Sequence, residues 1–181
     1  MSVLELSGQA TLKDLKFQMG GGTTFYFGQG HEAWGWSIQP SIKVGESGNS
    51  SFHVGMELAH LSSEKNTRLV NAEQDELLIL FTAYWYTPSI ANGHIQPFFK
   101  AGVGNNIVNF EASHPALGTL VDDYDSINLT SALGVGSEFL INEHFGFSLG
   151  YQFLSTFDVT IESTSDNLYQ HGIQLGALVA F

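Results

Sequence analysis

Three sets of residues in this sequence have types and spacings that could support chemistry. In the first, His60 and Ser62 are two positions apart, and Glu73 follows in the next polar segment. Residues i and i+2 of a β-strand lie on the same face, so the imidazole could take the hydroxyl proton and activate Ser62 as a nucleophile. We favour chance placement of the two residue types and assign no catalytic residue; a catalytic dyad for hydrolysis is the alternative.

The second set is a short acidic segment that contains Asp122, Asp123 and Asp125. Carboxylate oxygens are the ligands that Ca²⁺ and Mg²⁺ take, which makes the segment a candidate cation-binding loop. It lacks the glycine and the distant glutamate of an EF-hand loop. We therefore favour a solvated loop that binds cations loosely, and we assign no firm metal site.

The third set consists of charged residues inside otherwise uncharged runs, namely Glu57, Lys100 and Glu138. Lys100 lies five residues after Ile95, where one run begins, and Glu138 lies four residues before Asn142, where the next run ends. Counted in this way, the two side chains would lie at the same depth on adjacent strands. A buried charge is costly unless it is paired, so we predict that Lys100 pairs with Glu138, Glu57 or both. The polar residues predicted to complete this network are Gln39, Gln152 and Gln174.

The elements that position these residues are β-strands, because large apolar and small or polar side chains alternate along most of the chain. Residues 127–141 and 169–181 show this period of two, and the same alternation recurs at intervals from Trp34 onward. Helical periodicity is nowhere sustained. Short connectors alternate with three long ones, at residues 62–76, 111–125 and 158–168. The pattern predicts an eight-stranded antiparallel meander with its long loops at one end.

The first hairpin allows two interpretations. We predict strand one over residues 3–19 and strand two over residues 23–44, with Gly20–Gly22 at the turn and a bulge near residues 28–30. The alternative keeps residues 1–15 outside the sheet and begins the first strand near Phe17.

Composition limits the class of protein. The chain has 181 residues, no cysteine, 43% hydrophobic and only 13% charged residues, against about 25% charged in a typical soluble domain. Its net charge of −12 argues against a nucleic-acid partner. The longest apolar stretch is about half of the roughly 20 residues that a membrane-spanning helix needs. The opening residues lack a signal peptide, so we expect either a cytoplasmic protein or the mature form of an exported one.

The chemistry of the two strand faces favours a membrane barrel over a soluble one. One face is mainly Gly, Ser, Thr, Asn and Gln, which suits the crowded interior of a small barrel better than a solvated surface. The large apolar side chains then point outward, which is stable only in lipid. We therefore predict a single all-β domain over residues 1–181, a closed eight-stranded antiparallel up-and-down transmembrane β-barrel. A soluble β-barrel is the alternative.

The end of the chain resembles the C-terminal signal of bacterial outer-membrane barrels. Its pattern is a polar residue, a glycine and spaced hydrophobic residues that end on an aromatic one: Gln174, Gly176, Val179 and Phe181. Residues 95–104 and 133–139 are also similar to the small OmpA-like eight-stranded barrels. The resemblance implies the bacterial outer membrane, both chain ends in the periplasm, and contact with lipid and lipopolysaccharide. It further implies insertion by the barrel assembly machinery and no cofactor.

Within such a barrel, the Lys100 network would plug the lumen or gate a narrow water path. The outer-membrane lipid A deacylases carry a His-x-Ser pair on their seventh strand, but the seventh run here contains no histidine before Ser155. The three long connectors hold eleven acidic and two basic residues, which is −9 of the net charge. We therefore expect a non-enzymatic surface or structural protein, whose acidic loops serve adhesion, contact with a protein ligand or divalent cation, or envelope integrity. The alternatives are a lipid A-modifying hydrolase and a narrow pore for small solutes.

Overall fold

The structure, a computed structural model, describes residues 16–28, 31–66, 71–91, 93–114, 118–142, 144–161 and 164–181. Nearly all of them lie in eight strands: β1 (Phe17–Gly28), β2 (His31–Ser47), β3 (Ser50–Asn66), β4 (Asn71–Tyr86), β5 (Ile95–His114), β6 (Gly118–Leu140), β7 (Phe145–Ile161) and β8 (Thr164–Ala180). Each strand pairs antiparallel with the next, and β1 pairs with β8. The prediction of a closed eight-stranded antiparallel barrel is confirmed.

The first hairpin follows the alternative interpretation, in which the first strand starts near Phe17. The prediction of a turn at Gly20–Gly22 is wrong, because these glycines lie inside β1, and the turn falls between Gly28 and His31. Gly22 pairs with Gly176 of β8, where an added methyl group would collide with the backbone of Leu175. The glycines thus allow β1 to approach β8 closely and close the barrel. Residues 1–15, predicted as part of strand one, lie outside the described residues.

The long connectors predicted at one end are mostly strand. β3 and β4 pair as far as Asn66 and Asn71, and β5 and β6 pair as far as His114 and Gly118. The polar residues that suggested loops therefore belong to longer strands. Strands pair through backbone hydrogen bonds, which polar and apolar residues form alike. We call the end with Phe17 and Ala180 the terminal end and the other the extended end.

The two faces of the wall differ as the alternation predicts. Outward-facing apolar side chains are strongly exposed, as Phe81 is at 65% and Leu133 at 63%. On β4, this outward face changes from Leu77 to Asp75 and Glu73 toward the extended end. An outward apolar band with polar margins is the signature of a transmembrane barrel. The described residues include no helix with the length and apolar character needed to span a membrane.

Candidate functional site

The centre of the lumen holds an ion pair between Lys100 of β5 and Glu57 of β3. Lys100 Nζ lies 3.1 Å from Glu57 Oε2, and both side chains are almost completely buried. Alternation turns both inward, because position 57 is in phase with the inward residues of β3 and position 100 with those of β5. The ion pair fixes both side chains, because moving either one away would leave the other as an uncompensated buried charge.

Three glutamine amides from other strands complete this cluster around Glu57. They are Gln39 of β2 (3.1 Å to Oε1), Gln174 of β8 (2.5 Å to Oε1) and Gln152 of β7 (3.4 Å to Oε2). Lys100 also donates to Gln174 Oε1 at 3.2 Å. We call these five residues the central network. It joins strands from all around the barrel, so the lumen is bridged by hydrogen bonds at this level.

Glu138 does not belong to this network, and the prediction that it lies at the depth of Lys100 is wrong. Lys100 pairs across the sheet with Gly134, whereas Glu138 pairs with Gln96, four residues nearer the terminal end. β6 ends at Leu140 rather than at Asn142, and Ile95 at the start of β5 pairs with Phe139, so the count from residue 142 placed Glu138 too deep in the barrel. Its Oε1 instead accepts hydrogen bonds from the Tyr86 hydroxyl (2.6 Å) and from Gln18 Nε2 (2.7 Å).

A second buried carboxylate, Glu76, lies toward the extended end of the lumen. Gln74 donates to it at 2.8 Å, Asn106 at 2.7 Å and Gln170 at 3.3 Å. Glu76 is the last residue of the long connector predicted at residues 62–76 and was counted there among the acidic loop residues. The signal that could have placed it inside is its even position on β4, in phase with Leu78 and the other inward residues of that strand.

Between Glu76 and the central network lies an apolar layer that closes the lumen. Its members are fully or almost fully buried: Tyr26, Ala33, Ala59, Leu61, Leu78, Leu80, Ala132 and Leu154. On the other side of the central network, the cavity bounded by Gln39, Tyr84 and Gln174 has a volume of only about 30 Å³, which is room for a few water molecules. The lumen is therefore a packed core.

His60 and Ser62 lie on the outward face of β3. The His60 ring stacks on Trp36 of β2, with ring centroids 6.1 Å apart, and Ser62 pairs across the sheet with Trp34 on one side and Asp75 on the other. No hydrogen bond joins the two side chains in the described part of the chain. A dyad for hydrolysis needs the base within hydrogen-bond reach of the hydroxyl, so this arrangement is not assembled for catalysis.

Three of the exposed acidic side chains at the extended end form a row across three strands. Glu64 of β3 pairs with Glu73 of β4, which pairs with Glu111 of β5, and all three are exposed. We call these three residues the acidic row. Asp122, Asp123 and Asp125 fall within the β6 strand rather than in a loop. Among the described residues, no group of three or more His, Cys, Asp or Glu side chains could hold a metal ion.

The residues of the C-terminal pattern lie on β8 and at its end. Gln174 turns inward to the central network, and Gly176 packs close to Gly21 of β1. Phe181 is 72% exposed and lies beside Phe17, with ring centroids 6.0 Å apart. Their service as a signal for membrane insertion stays a prediction.

A closed barrel with an outward apolar band and a polar, packed interior defines an integral protein of the bacterial outer membrane. The chain belongs to the family described as outer membrane protein beta-barrel domain, whose family model matches residues 1–181. Barrels of this kind have short periplasmic turns and longer extracellular loops, so we expect the extended end to be extracellular and the terminal end, with Phe17 and Ala180, to be periplasmic. No curated protein matches the sequence.

Solved structures with similar folds include surface proteins and an enzyme. Neisserial surface protein A has a TM-score of 0.55 at 11% identity, with 92% of this chain and 97% of that one covered. Ail, the attachment invasion locus protein of Yersinia pestis in complex with the heparin analogue sucrose octasulfate, has a TM-score of 0.54 at 13% identity, with the same coverage. The outer membrane enzyme PagL has 0.57 at 14% identity, with 91% and 98% covered. At these identities, the likeness shows the fold alone.

Proposed function

We propose that this protein is a non-enzymatic surface barrel whose extracellular end binds cationic groups through the acidic row. The row is the observation that carries the proposal. Like charges placed directly opposite each other on a sheet destabilise it, and here Glu73 has a carboxylate neighbour on both sides. A cationic partner that lies across the row relieves this repulsion, so binding recovers free energy that the fold has lost.

The position of the acidic row supports contact with partners outside the cell or with the lipopolysaccharide surface. The outward face of β4 changes from apolar to acidic between Leu77 and Asp75, so Glu73 lies just outside the apolar band. At this level the carboxylates face lipid head groups and the medium. Cationic segments of a protein, or divalent cations that bridge to lipopolysaccharide phosphates, are the partners that fit.

The packed lumen supports a surface role over a pore. A conducting path would have to cross both the apolar layer and the central network. Among the structural neighbours, Ail bears a name that refers to attachment, and its ligand in that structure is a heparin analogue, which is anionic. The acidic row suits a ligand of the opposite charge, so we do not extend that ligand to this protein.

Binding of a fluorescent oligolysine peptide to the full chain in phosphatidylcholine nanodiscs tests the proposal. The triple variant Glu64→Gln, Glu73→Gln and Glu111→Gln removes the charge of the row without changing its shape. Each exposed ion pair contributes about 0.2–1 kcal/mol, so we expect the dissociation constant to rise at least threefold and its salt dependence to weaken. The matched control is Glu46→Gln, an exposed acidic residue at the periplasmic end.

Attraction to net charge alone would make the loss of binding free energy proportional to the number of charges removed, so a loss in Glu46→Gln of about one third of that in the triple variant would contradict the proposal. Unchanged binding in the triple variant would contradict it as well. Ohmic current from the wild-type barrel in a planar bilayer would favour the pore instead.

A further inference from the structure

The periplasmic mouth of the barrel contains a pocket that the central network and the acidic row do not use. It has a volume of about 220 Å³ and lies below Tyr86, at the ends of strands β2, β3, β5 and β6. Lys16, Lys43, His53 and Glu138 are the ionisable side chains that line it together with Tyr86. This volume holds several water molecules or one small organic group.

His53 gives the first sign that the pocket takes a ligand. Its side chain is only 8% exposed, and its Nδ1 is buried without a hydrogen-bond partner. The other ring nitrogen, Nε2, lies 3.3 Å from Ser51 Oγ, and the ring packs against Tyr86 with centroids 4.7 Å apart. Buried polar atoms in folded proteins nearly always have a partner. Of the seven buried side-chain atoms without one among the described residues, only His53 Nδ1 belongs to a residue that lines this pocket, where a bound group would supply its partner.

The cationic side of the pocket lies around His53. Lys43 pairs with His53 across β2 and β3, and the backbone of Lys43 is hydrogen-bonded to that of Lys16. Lys43 also contacts the exposed carboxylate of Glu46. Two of the six basic residues in a chain of net charge −12 thus meet at one pocket. A carboxylate or phosphate group would bind here through charge-assisted hydrogen bonds.

The opposite side of the pocket carries the carboxyl group of Glu138. Glu138 uses Oε1 to accept hydrogen bonds from both Tyr86 and Gln18, and its Oε2 has no hydrogen-bond partner among the described residues. This carboxylate would repel a purely anionic ligand, and the lysines would repel a purely cationic one. A molecule that carries both charges satisfies both sides.

We propose that the periplasmic pocket binds a small zwitterion, with its carboxylate toward Lys16, Lys43 and His53 Nδ1 and its ammonium group toward Glu138. The ligand class is an amino acid or a short peptide with free amino and carboxyl ends. Free amino acids and peptides both carry an ammonium group and a carboxylate, and they differ in the distance between these two charges.

Amide NMR shifts of the isotope-labelled full chain in nanodiscs test this site. The probes are glycine and diglycine as zwitterions of two lengths, N-acetylglycine as the anion alone and glycinamide as the cation alone. We expect shifts at Gln96 and Glu138, with one or both zwitterions binding at least tenfold more tightly than either single-charge probe. The tighter of the two zwitterions identifies the source, because glycine represents a free amino acid and diglycine a peptide.

Two variants separate the two sides of the pocket. Glu138→Gln should weaken the zwitterion at least fivefold and strengthen N-acetylglycine, which no longer meets a like charge, whereas Lys43→Met should weaken both. Glu32→Gln, an exposed acidic residue at the extracellular end that belongs to neither site, is the matched control and should change neither. Lys43 lies at the mouth of the barrel, so its variant keeps the experiment decisive if Glu138→Gln fails to fold. Equal affinities for all four probes, tight binding of N-acetylglycine alone, or shifts outside the pocket would overturn the proposal.

Discussion

Replacement of Lys100 by methionine tests how the centre of the lumen is held together. The variant keeps the length of the side chain and removes its charge, so Glu57 loses the ion pair at 3.1 Å while the three glutamine amides remain around it. Gln174 Oε1 also loses the donor at 3.2 Å. The barrel then contains a buried carboxylate without a compensating cation.

The expected loss of stability follows from these contacts. Breaking a buried ion pair by removing one partner costs about 3–5 kcal/mol. The glutamine amides still solvate Glu57, which places our expectation near the lower limit, about 3 kcal/mol. Replacement of both partners, as in Lys100→Met with Glu57→Met, removes both charges together. Since an apolar pair of similar volume is often neutral relative to a buried ion pair, the double variant should be more stable than Lys100→Met alone.

Urea unfolding in lipid vesicles, followed by the heat-dependent shift in gel migration, measures these differences. A loss below about 1 kcal/mol for Lys100→Met, or additive losses in the double variant, would refute the reasoning, because coupled partners must be non-additive. Planar-bilayer recordings address the gate hypothesis separately. We expect Lys100→Met to leave the conductance unchanged, since the apolar layer still closes the lumen. A clear rise in conductance would show that Lys100 is a gate.

Two further variants address other parts of the barrel. Ser62→Ala should leave acyl release from lipid A at the level of the wild type, since no hydrogen bond joins Ser62 to His60 in the described part of the chain. If the wild type releases acyl chains and the variant does not, the hypothesis of a catalytic dyad is supported instead. Gly22→Ala should destabilise the barrel by about 1–3 kcal/mol, the usual cost of overpacking, because the new methyl group meets the β8 backbone. Gly45→Ala is its control in the same urea titration, since no atom outside its chain neighbours lies within 4 Å of a methyl group at that position. Equal losses of stability in the two variants would contradict the role of the close contact between β1 and β8.

Much of the fold could be predicted because a β-strand has a side-chain period of two. The alternation of residues 127–141 and 169–181 indicated which side chains share a face, and the low charge content indicated that the apolar face lies in lipid. Glycine was the misleading signal. Gly20–Gly22 was interpreted as a turn, whereas Gly22 serves a close approach to Gly176, a contact between the first and last strands that no local pattern reveals.

The candidate site divides in a similar way. The sequence indicated that Glu57 and Lys100 are buried and need partners, because both occur at inward positions of otherwise uncharged runs. It could not indicate which partner each would meet. That choice depends on the pairing register and on where each strand ends, which separate Glu138 from Lys100 by four residues along the barrel and place Glu138 beside Tyr86 and Gln18. Glu76 was missed because a polar neighbourhood at the end of a strand looks the same in sequence whether the strand ends or continues.

The sequence by itself determined the class of this protein: alternation, glycine-rich inward positions and few charges allow a closed barrel in lipid and little else. Only the tertiary structure decided what the charged residues do. Register, stagger and closure bring Lys100 to Glu57, separate Glu76 from them by an apolar layer, and leave His53 and Lys43 facing Glu138 across an open pocket. The physical reason is that periodicity is a local property of the chain, whereas the pairing of buried charges depends on distances between strands that are far apart in sequence.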